Sequence, residues 1–461
     1  MRQPTTDQND SRAIVPRARL REALTMLFGI LMLSAIAFYN HYPLIFADTG
    51  GYLLLRNTGI RSAFYGFFVA PAHLTHTLWA VVFVQSLLTL LMLRPALREV
   101  FAIRSRIQFL VIVAILSLAT SLPWFTGFIM PDVFAPLMVI GLFLLAFCFE
   151  RLRRGERVLV VALTFFSIIV HYSNVPIAIG LWIAAAIARL IMRRRGCTSL
   201  PHIAMPAALI VIGVISIIAS NYLMLGIATF SPGGYAFIMA RLIDHGTAVE
   251  YLRESCRTRH WAACAYLDRM PMAGEDFLWK PDGLFMRHGF LAPREEGLEI
   301  VTGTIEEFPI RVARDALTDA MLQLTSVRTG NGLRAAAINP SGDAIKVRYP
   351  AEYQAYLNSH QGRGEFTRRR QLWELHLNFL IICAFYTVFI AMLLAHDGQW
   401  LPIEFFLTVA LTVLLNAFVT GALSEPTNRY GSRIIWLVPL MAIASWRHAL
   451  GLSASDEAQS Q

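Results

Sequence analysis

Ten apolar stretches recur along this chain, each close to the roughly 20 residues that a helix needs to cross a bilayer: 22–40, 76–94, 107–123, 131–149, 158–171, 175–192, 203–226, 375–395, 400–421 and 433–446. The fifth and tenth are short. A soluble domain has no room to hide so many such runs, and the bulk numbers agree: of 461 residues 56% are hydrophobic and only 15% charged. The expected fold class is therefore an all-α polytopic membrane protein of about ten transmembrane helices. No repeat, coiled coil or low-complexity tract stands out.

Arginine placement sets the expected orientation. The N-terminal tail holds Arg2, Arg12, Arg17, Arg19 and Arg21, and later connections on the same side hold Arg94, Arg98, Arg104, Arg106, Arg151, Arg153, Arg154, Arg157, Arg193, Arg194, Arg195 and Arg447. The short connections opposite hold only Arg56, Arg61, Arg429 and Arg433. Both termini are thus expected in the cytoplasm. Arg368, Arg369 and Arg370 pull the other way, but they end a long loop, and long loops translocate largely regardless of charge. The net charge of +9 comes mostly from the cytoplasmic anchors and gives no argument for nucleic acid.

The expected organisation is a disordered cytoplasmic tail (1–21), an N-terminal module of about seven helices (22–226) with its first outer loop at 41–75, a polar region (227–374), C-terminal helices (375–446) and a cytoplasmic tail (447–461). The first apolar run also has the basic start and the "AIA" at 35–37 of a secretory signal, but it is read as a retained helix. Segments such as "FPIRVARDALTDAMLQLTSV" put apolar residues at helical spacing, so 227–374 is expected to be a mainly helical periplasmic domain. Its "CRTRHWAAC" carries Cys256 and Cys264, which an oxidising compartment would let close a small ring. A zinc site with His260 is the weaker alternative.

The stretch "FADTGGYLLL" sets Asp48 beside Gly50 and Gly51 at the end of an apolar run. The same first loop holds Thr49, Tyr52, Arg56, Arg61 and Tyr65. "GFIMPDVFAPL" places Pro131 and Asp132 at the mouth of the fourth helix, "HYSN" places His171, Tyr172, Ser173 and Asn174 between the fifth and sixth, and "SEPTNRYGSR" holds Glu425, Arg429, Tyr430 and Arg433. All emerge on one side. Charges beside hydrocarbon are costly and usually face a cavity or a partner, so their convergence points to a polar pocket at the outer boundary. Taken singly, each also reads as an ordinary interfacial residue. His171 either orients substrate or caps a helix, Tyr52 and Tyr65 either line a sugar pocket or anchor at the interface, and Arg368 to Arg370 either hold a phosphate or anchor headgroups. Glu275, Asp276 and Trp279 in "GEDFLWKPD" either grip a saccharide or pack a loop.

One acidic base, several cations and a lipid-facing pocket suit transfer of a sugar from a polyprenyl-phosphate carrier. The leaving group is already an ionised phosphate, which needs cationic stabilisation rather than a general acid. The acceptor hydroxyl needs a carboxylate to take its proton. A membrane-soluble donor removes the need for a nucleotide-binding domain, and no Gly-rich phosphate loop after a strand is present.

The passage "FADTGGYLLL…GIRSAFYGFFVAPAHLTHTLWAVVFVQSLL" resembles the start of the polytopic lipid-phosphate-dependent glycosyltransferases of the GT-C class, including bacterial families related to protein mannosyltransferases and to lipid A aminoarabinose transferases. Asp48, Tyr52, Arg61, Tyr65–Gly66 and Gln85 match that pattern in order. The resemblance implies a catalytic base at Asp48, a second acid at Asp132, and at Arg429–Tyr430 an "R-Y" element that contacts phosphate. It is strongest over the first 90 residues and then falls to isolated motifs. Asp48–Thr49 stands where some members have paired acids, so a divalent cation, magnesium or manganese, stays open as a cofactor, with Asp132 either an orienting acid or a metal ligand.

The function expected is a bacterial inner-membrane transferase, with a polyprenyl-phosphate sugar, an extracytoplasmic acceptor in the cell envelope and membrane lipid as its partners. Candidate site residues are Asp48 and Asp132 as catalytic acids, and Tyr52, Arg61, Tyr65, His171, Arg429 and Tyr430 as substrate contacts. A surface-polysaccharide polymerase or ligase is an alternative that would put functional arginines in the large loop. A transporter or flippase would show internal repeats and charges near the midplane.

Overall fold

A computed structural model of the chain describes residues 8–195, 200–368 and 371–446. It is all-helical: among the described residues no strand forms, only one parallel bridge between Leu44 and Phe128. Six helical runs are long and apolar enough to cross a membrane, namely Trp79–Phe101, Pro131–Arg151, Asn174–Arg194, Ala204–Leu225, Glu374–His396 and Trp400–Ala422. They coincide with six of the ten stretches expected from sequence.

The other four take different forms for local reasons. The first divides around Ser34 into Gln8–Leu33 and Ala35–Asn40. The third is the 14-residue helix Arg106–Ala119, stopped by the extended backbone of Thr120. The fifth is Arg154–Ile169, with 16 residues. The last divides at Trp436 into Asn428–Ile435 and Leu437–Ala444. At 1.5 Å per residue, the helices of 14 and 16 residues and the two 8-residue halves of the last stretch fall short of a hydrocarbon core of about 30 Å, whereas the 26-residue Gln8–Leu33 begins in polar sequence. The described residues thus hold six full-length candidate spans and four shorter or interrupted apolar segments.

Residues 8–21, expected to be part of a disordered tail, instead belong to the helix Gln8–Leu33. Once a helix is nucleated by an apolar stretch, Ala, Arg, Leu and Glu extend it at little cost. Cys197, Arg369, Arg370 and Arg447 lie outside the described residues.

Burial orders the bundle. Of the Pro131–Arg151 window 89% is buried, against 17% for Glu374–His396. The first is apolar on every face from Val133 to Phe149, as a helix enclosed by others must be. The second presents Ile381, Ile382, Phe385, Val388 and Phe389 outward. An outward surface so continuously apolar suits lipid and not water. The arginine-rich connections gather at one end, where Arg98 donates two hydrogen bonds to Glu156 (2.7 and 2.6 Å).

The region 227–374, read from sequence as one domain, divides between two cores. Tyr235, Met239, Ile243, Leu252, Phe277, Phe285 and Ile300 close a separate small lobe. Leu333, Ala344, Ile345, Tyr349, Tyr356 and Phe366 join the main core of the bundle and form a clasp over its first loop. Cys256 and Cys264 are joined by a disulfide within the lobe.

Candidate functional site

Two connections are laced together to make the site. Leu44 N–H donates to the Gly127 carbonyl (2.9 Å) and Ile129 N–H donates to the Leu44 carbonyl (3.0 Å). Thr49 Oγ1 then donates to the Ile129 carbonyl (3.1 Å). The chain entering Asp48 therefore runs beside the chain entering Pro131 and Asp132.

The clasp fixes the first loop from the other side. Ser341 Oγ accepts from Gly50 N–H (2.7 Å) and donates to the Phe46 carbonyl (2.8 Å). Gln361 Oε1 accepts from Ile45 N–H (2.9 Å), and Asn339 Nδ2 donates to the Ile45 carbonyl (3.1 Å). The glycines after Asp48 now have their reason. A Cβ on Gly51 would lie 2.6 Å from Arg61 Nη1, and one on Gly50 would lie 3.1 Å from the Ser341 backbone. The loop can approach Arg61 and the clasp only without side chains there.

The result is a row of alternating charge. Arg61 Nη2 donates to Asp48 Oδ1 (2.5 Å). Arg429 Nη1 lies 3.7 Å from Asp48 Oδ2 and 3.8 Å from Asp132 Oδ2, and Arg433 Nη1 lies 3.7 Å from Asp132 Oδ1. The row grades from accessible to enclosed: the Asp48 side chain is 25% exposed, that of Arg429 9%, and those of Asp132 and Arg433 not at all. Burial opposes ionisation of Asp48, but Arg61 and Arg429 outweigh it and hold its carboxyl below the usual range. Asp48 is a carboxylate at neutral pH.

The cations are held by aromatic faces and by hydrogen bonds. The Arg429 guanidinium lies 4.3 Å from the Phe46 ring centre and 4.8 Å from that of Tyr430, which Arg433 also approaches at 5.1 Å. Arg433 Nη2 donates to Asn416 Oδ1 (2.9 Å) and to Ser173 Oγ (3.0 Å). Ser173 Oγ in turn pairs with His171 Nδ1 (2.8 Å), which also accepts from Ser173 N–H (3.2 Å). With Nδ1 accepting, the network assigns the imidazole proton to Nε2. Both carboxylate oxygens of Asp132 and the Nη1 atoms of Arg429 and Arg433 are buried without a hydrogen-bond partner. They face one another across gaps too long for direct hydrogen bonds.

Of the candidate site residues, Asp48, Arg61, Asp132, Arg429 and Tyr430 lie in or directly against this row, and Tyr52, Tyr65 and His171 stand behind it. Tyr52 packs edge-on against Tyr65, ring centres 4.9 Å apart. Burial raises the Tyr52 hydroxyl above its usual range, Arg61 opposing and Asp48 and Asp132 adding to it, so it stays protonated. Tyr65 is fully buried and donates to Gln85 Oε1 (2.8 Å), while Gln85 Nε2 donates to the carbonyls of Thr126 (3.0 Å) and Phe128 (2.8 Å). Tyr65 is thus a brace behind Tyr52, with no group left to offer a ligand. His171 reaches the row only through Ser173.

Glu425 parts from the row. Burial raises its carboxyl, and its acidic neighbours are Glu275, Asp244 and Asp319. Glu275 is paired with Arg334 (3.0 Å), and Trp279 packs against the Phe237 and Phe290 rings. Among the contributors not placed with the candidate site residues from sequence are Arg433, Ser341 and Gln361. Arg433 follows Arg429 by four residues and so shares its helix face, a signal that was available in "NRYGSR". Ser341 and Gln361 reach the loop across 291 and 316 residues and left no local trace.

The donors present do not fit a divalent cation. Asp48 and Asp132 both already face guanidinium groups, and no cluster of three or more His, Cys, Asp or Glu with metal-binding geometry occurs among the described residues. A magnesium or manganese ion would have to sit among three arginines. Comparison of the chain with protein-family models, with curated proteins and with solved structures finds no match.

Proposed function

We propose that this protein is a membrane glycosyltransferase that moves a sugar from a polyprenyl-phosphate carrier to an extracytoplasmic acceptor, in a bacterial inner membrane, with both termini cytoplasmic. The observation that carries the reading is the pairing of an accessible carboxylate, Asp48, with a largely buried guanidinium, Arg429, at the end of the bundle away from the Arg98–Glu156 pair. These are the two groups that displacement of a lipid phosphate requires, a base for the incoming hydroxyl and a cation for the departing anion.

In this reading the acceptor oxygen bonds to the anomeric carbon as the bond from that carbon to the phosphate oxygen breaks. The electron pair leaves with the phosphate, and the hydroxyl proton passes to Asp48. Arg61 holds one Asp48 oxygen (2.5 Å), leaving Oδ2 on the Arg429 side as the proton acceptor. Arg429 is the phosphate contact, with its guanidinium held against the Phe46 and Tyr430 rings. Asp132 positions Arg429 and Arg433 and takes no proton from the acceptor.

The test is a mass-spectrometric profile of glycans and carrier lipids in cells lacking the protein. Loss of one sugar from an envelope glycan or lipid, with its polyprenyl-phosphate precursor accumulating, is expected. An unchanged profile, or loss of whole polymer chains with single-sugar decoration intact, would refute it.

A further inference from the structure

The helix Pro309–Thr325 faces the wrong way for water. Two of its polar residues, Asp319 and Gln323, are 3% and 1% exposed, while Ile310, Leu317 and Met321 are 84%, 61% and 58% exposed. Positions 310, 317 and 321 fall on one helical face, and Leu322 flanks it. An amphipathic helix on a soluble protein turns its apolar stripe inward.

The orientation is pinned from the inside. Asp319 accepts two hydrogen bonds from Arg241 (2.6 and 3.0 Å) and pairs with His245 Nε2 (2.9 Å). Gln323 Nε2 donates to the Thr427 carbonyl (3.0 Å), and Thr427 N–H donates to Gln323 Oε1 (2.8 Å). Rolling the apolar stripe inward would break all of these and leave buried Arg241 with only Asp244 and His245 of its own helix and its C-cap.

What covers the stripe follows from what the helix lies against. It packs on Phe418–Ala422, so closely that a Cβ on Gly421 would meet the Asp319 carbonyl oxygen at 2.7 Å. That is the last turn of the span Trp400–Ala422, whose Leu407, Leu414 and Phe418 are themselves exposed. The outward apolar surface of the span is continued at its end by that of the helix. Arg314 projects from the same face with 72% of its side chain exposed, its one ion pair among the described residues being with the adjacent Asp315. A long cationic side chain among apolar neighbours suits the headgroup level of a bilayer, where the stem lies in the acyl boundary and the guanidinium reaches lipid phosphate.

We infer that Pro309–Thr325 is an interfacial helix, lying on the membrane at the Asp48 end of the bundle with Ile310, Leu317 and Met321 in the acyl boundary. The inference is independent of the transferase reading. It is tested with nitroxides on Leu317→Cys and Met321→Cys, in full-length protein with Cys148, Cys197 and Cys383 replaced by Ser, reconstituted in phosphatidylcholine–phosphatidylglycerol vesicles. Thr302→Cys, on the exposed face of the preceding helix, is the aqueous reference. The ratio of collisions with oxygen to collisions with a water-soluble nickel chelate is expected to reverse, oxygen prevailing at 317 and 321 and nickel at 302. Nickel prevailing at 317 and 321 would overturn the inference. Shielding of both labels from both reagents would overturn it as well, since protein, such as a second copy of the chain, would then cover the stripe.

Discussion

Asp132→Asn removes a charge and almost no volume, from a side chain with no exposure between two guanidinium groups. At the 3.7 Å separation from Arg433, an effective dielectric of about 20 makes the attraction about 4 kcal/mol. The loss at Arg429 is partly compensated, since Arg429 still faces Asp48 at 3.7 Å. Arg433 keeps its hydrogen bonds to Ser173 and Asn416 but has no route to water. Breaking one side of a buried pair typically costs about 3–5 kcal/mol, and we expect the lower half of that range because no direct hydrogen bond is lost. The assay is equilibrium unfolding by SDS titration in mixed micelles, on the native chain, Asp132→Asn, Arg433→Gln and the double variant. The double variant should cost less than the sum of the singles by about 2 kcal/mol or more, because the second substitution removes a charge already stranded by the first. A cost for Asp132→Asn below about 1 kcal/mol, or strict additivity, would refute the buried charge row.

The remaining predictions concern the loop and its supports. Because Asp48 is held below the usual carboxylate range, its ionised form persists until pH falls through that lowered value, and its contribution to stability, complete above the unfolded-state pKa, is lost in the same acidic window. Arg61→Gln removes the strongest opposing cation, so the acid limb of the pH–rate profile should move to higher pH; an unmoved limb contradicts the pairing. Gly51→Ala pushes on Arg61 from 2.6 Å and should move the limb in the same direction by less. Ser341→Ala strips the buried Gly50 N–H of its acceptor, at a cost of about 1–3 kcal/mol. Faster amide exchange confined to the first loop and the clasp is the expected readout, and unchanged protection of the loop would deny the clasp its role. Intact mass of the denatured chain should rise by two hydrogens on reduction, as the Cys256–Cys264 bond requires; no rise would remove it.

What was legible in the sequence was what depends on local pattern. The six long spans were readable because each is an unbroken apolar run, whereas the breaks at Ser34 and Trp436 fall inside apolar stretches that hydropathy alone joins together. Asp48 and Asp132 could be found because a carboxylate at the end of such a run is expensive enough to need a reason. Their common partner Arg429 could be named, but not its placement between them, since that follows from lacing Leu44 to Gly127 and Ile129. The division of 227–374 into lobe and clasp was beyond reach for a similar reason. Ser341 earns its position from the Phe46 and Gly50 backbone, nearly 300 residues away. The inverted face of Pro309–Thr325 was equally hidden, because a helical period tells which residues share a face and not which way that face turns.

The transferase account rests on Asp48 as base, and cells lacking the protein offer the cleanest measurement. They are rescued with either the native chain or Asp48→Asn at equal membrane level, and envelope glycans and carrier lipids are profiled by mass spectrometry. The account predicts that the native chain restores the missing sugar and that Asp48→Asn transfers it slower by a factor of about 10² to 10⁴, leaving the precursor accumulated. Full rescue by Asp48→Asn would contradict it.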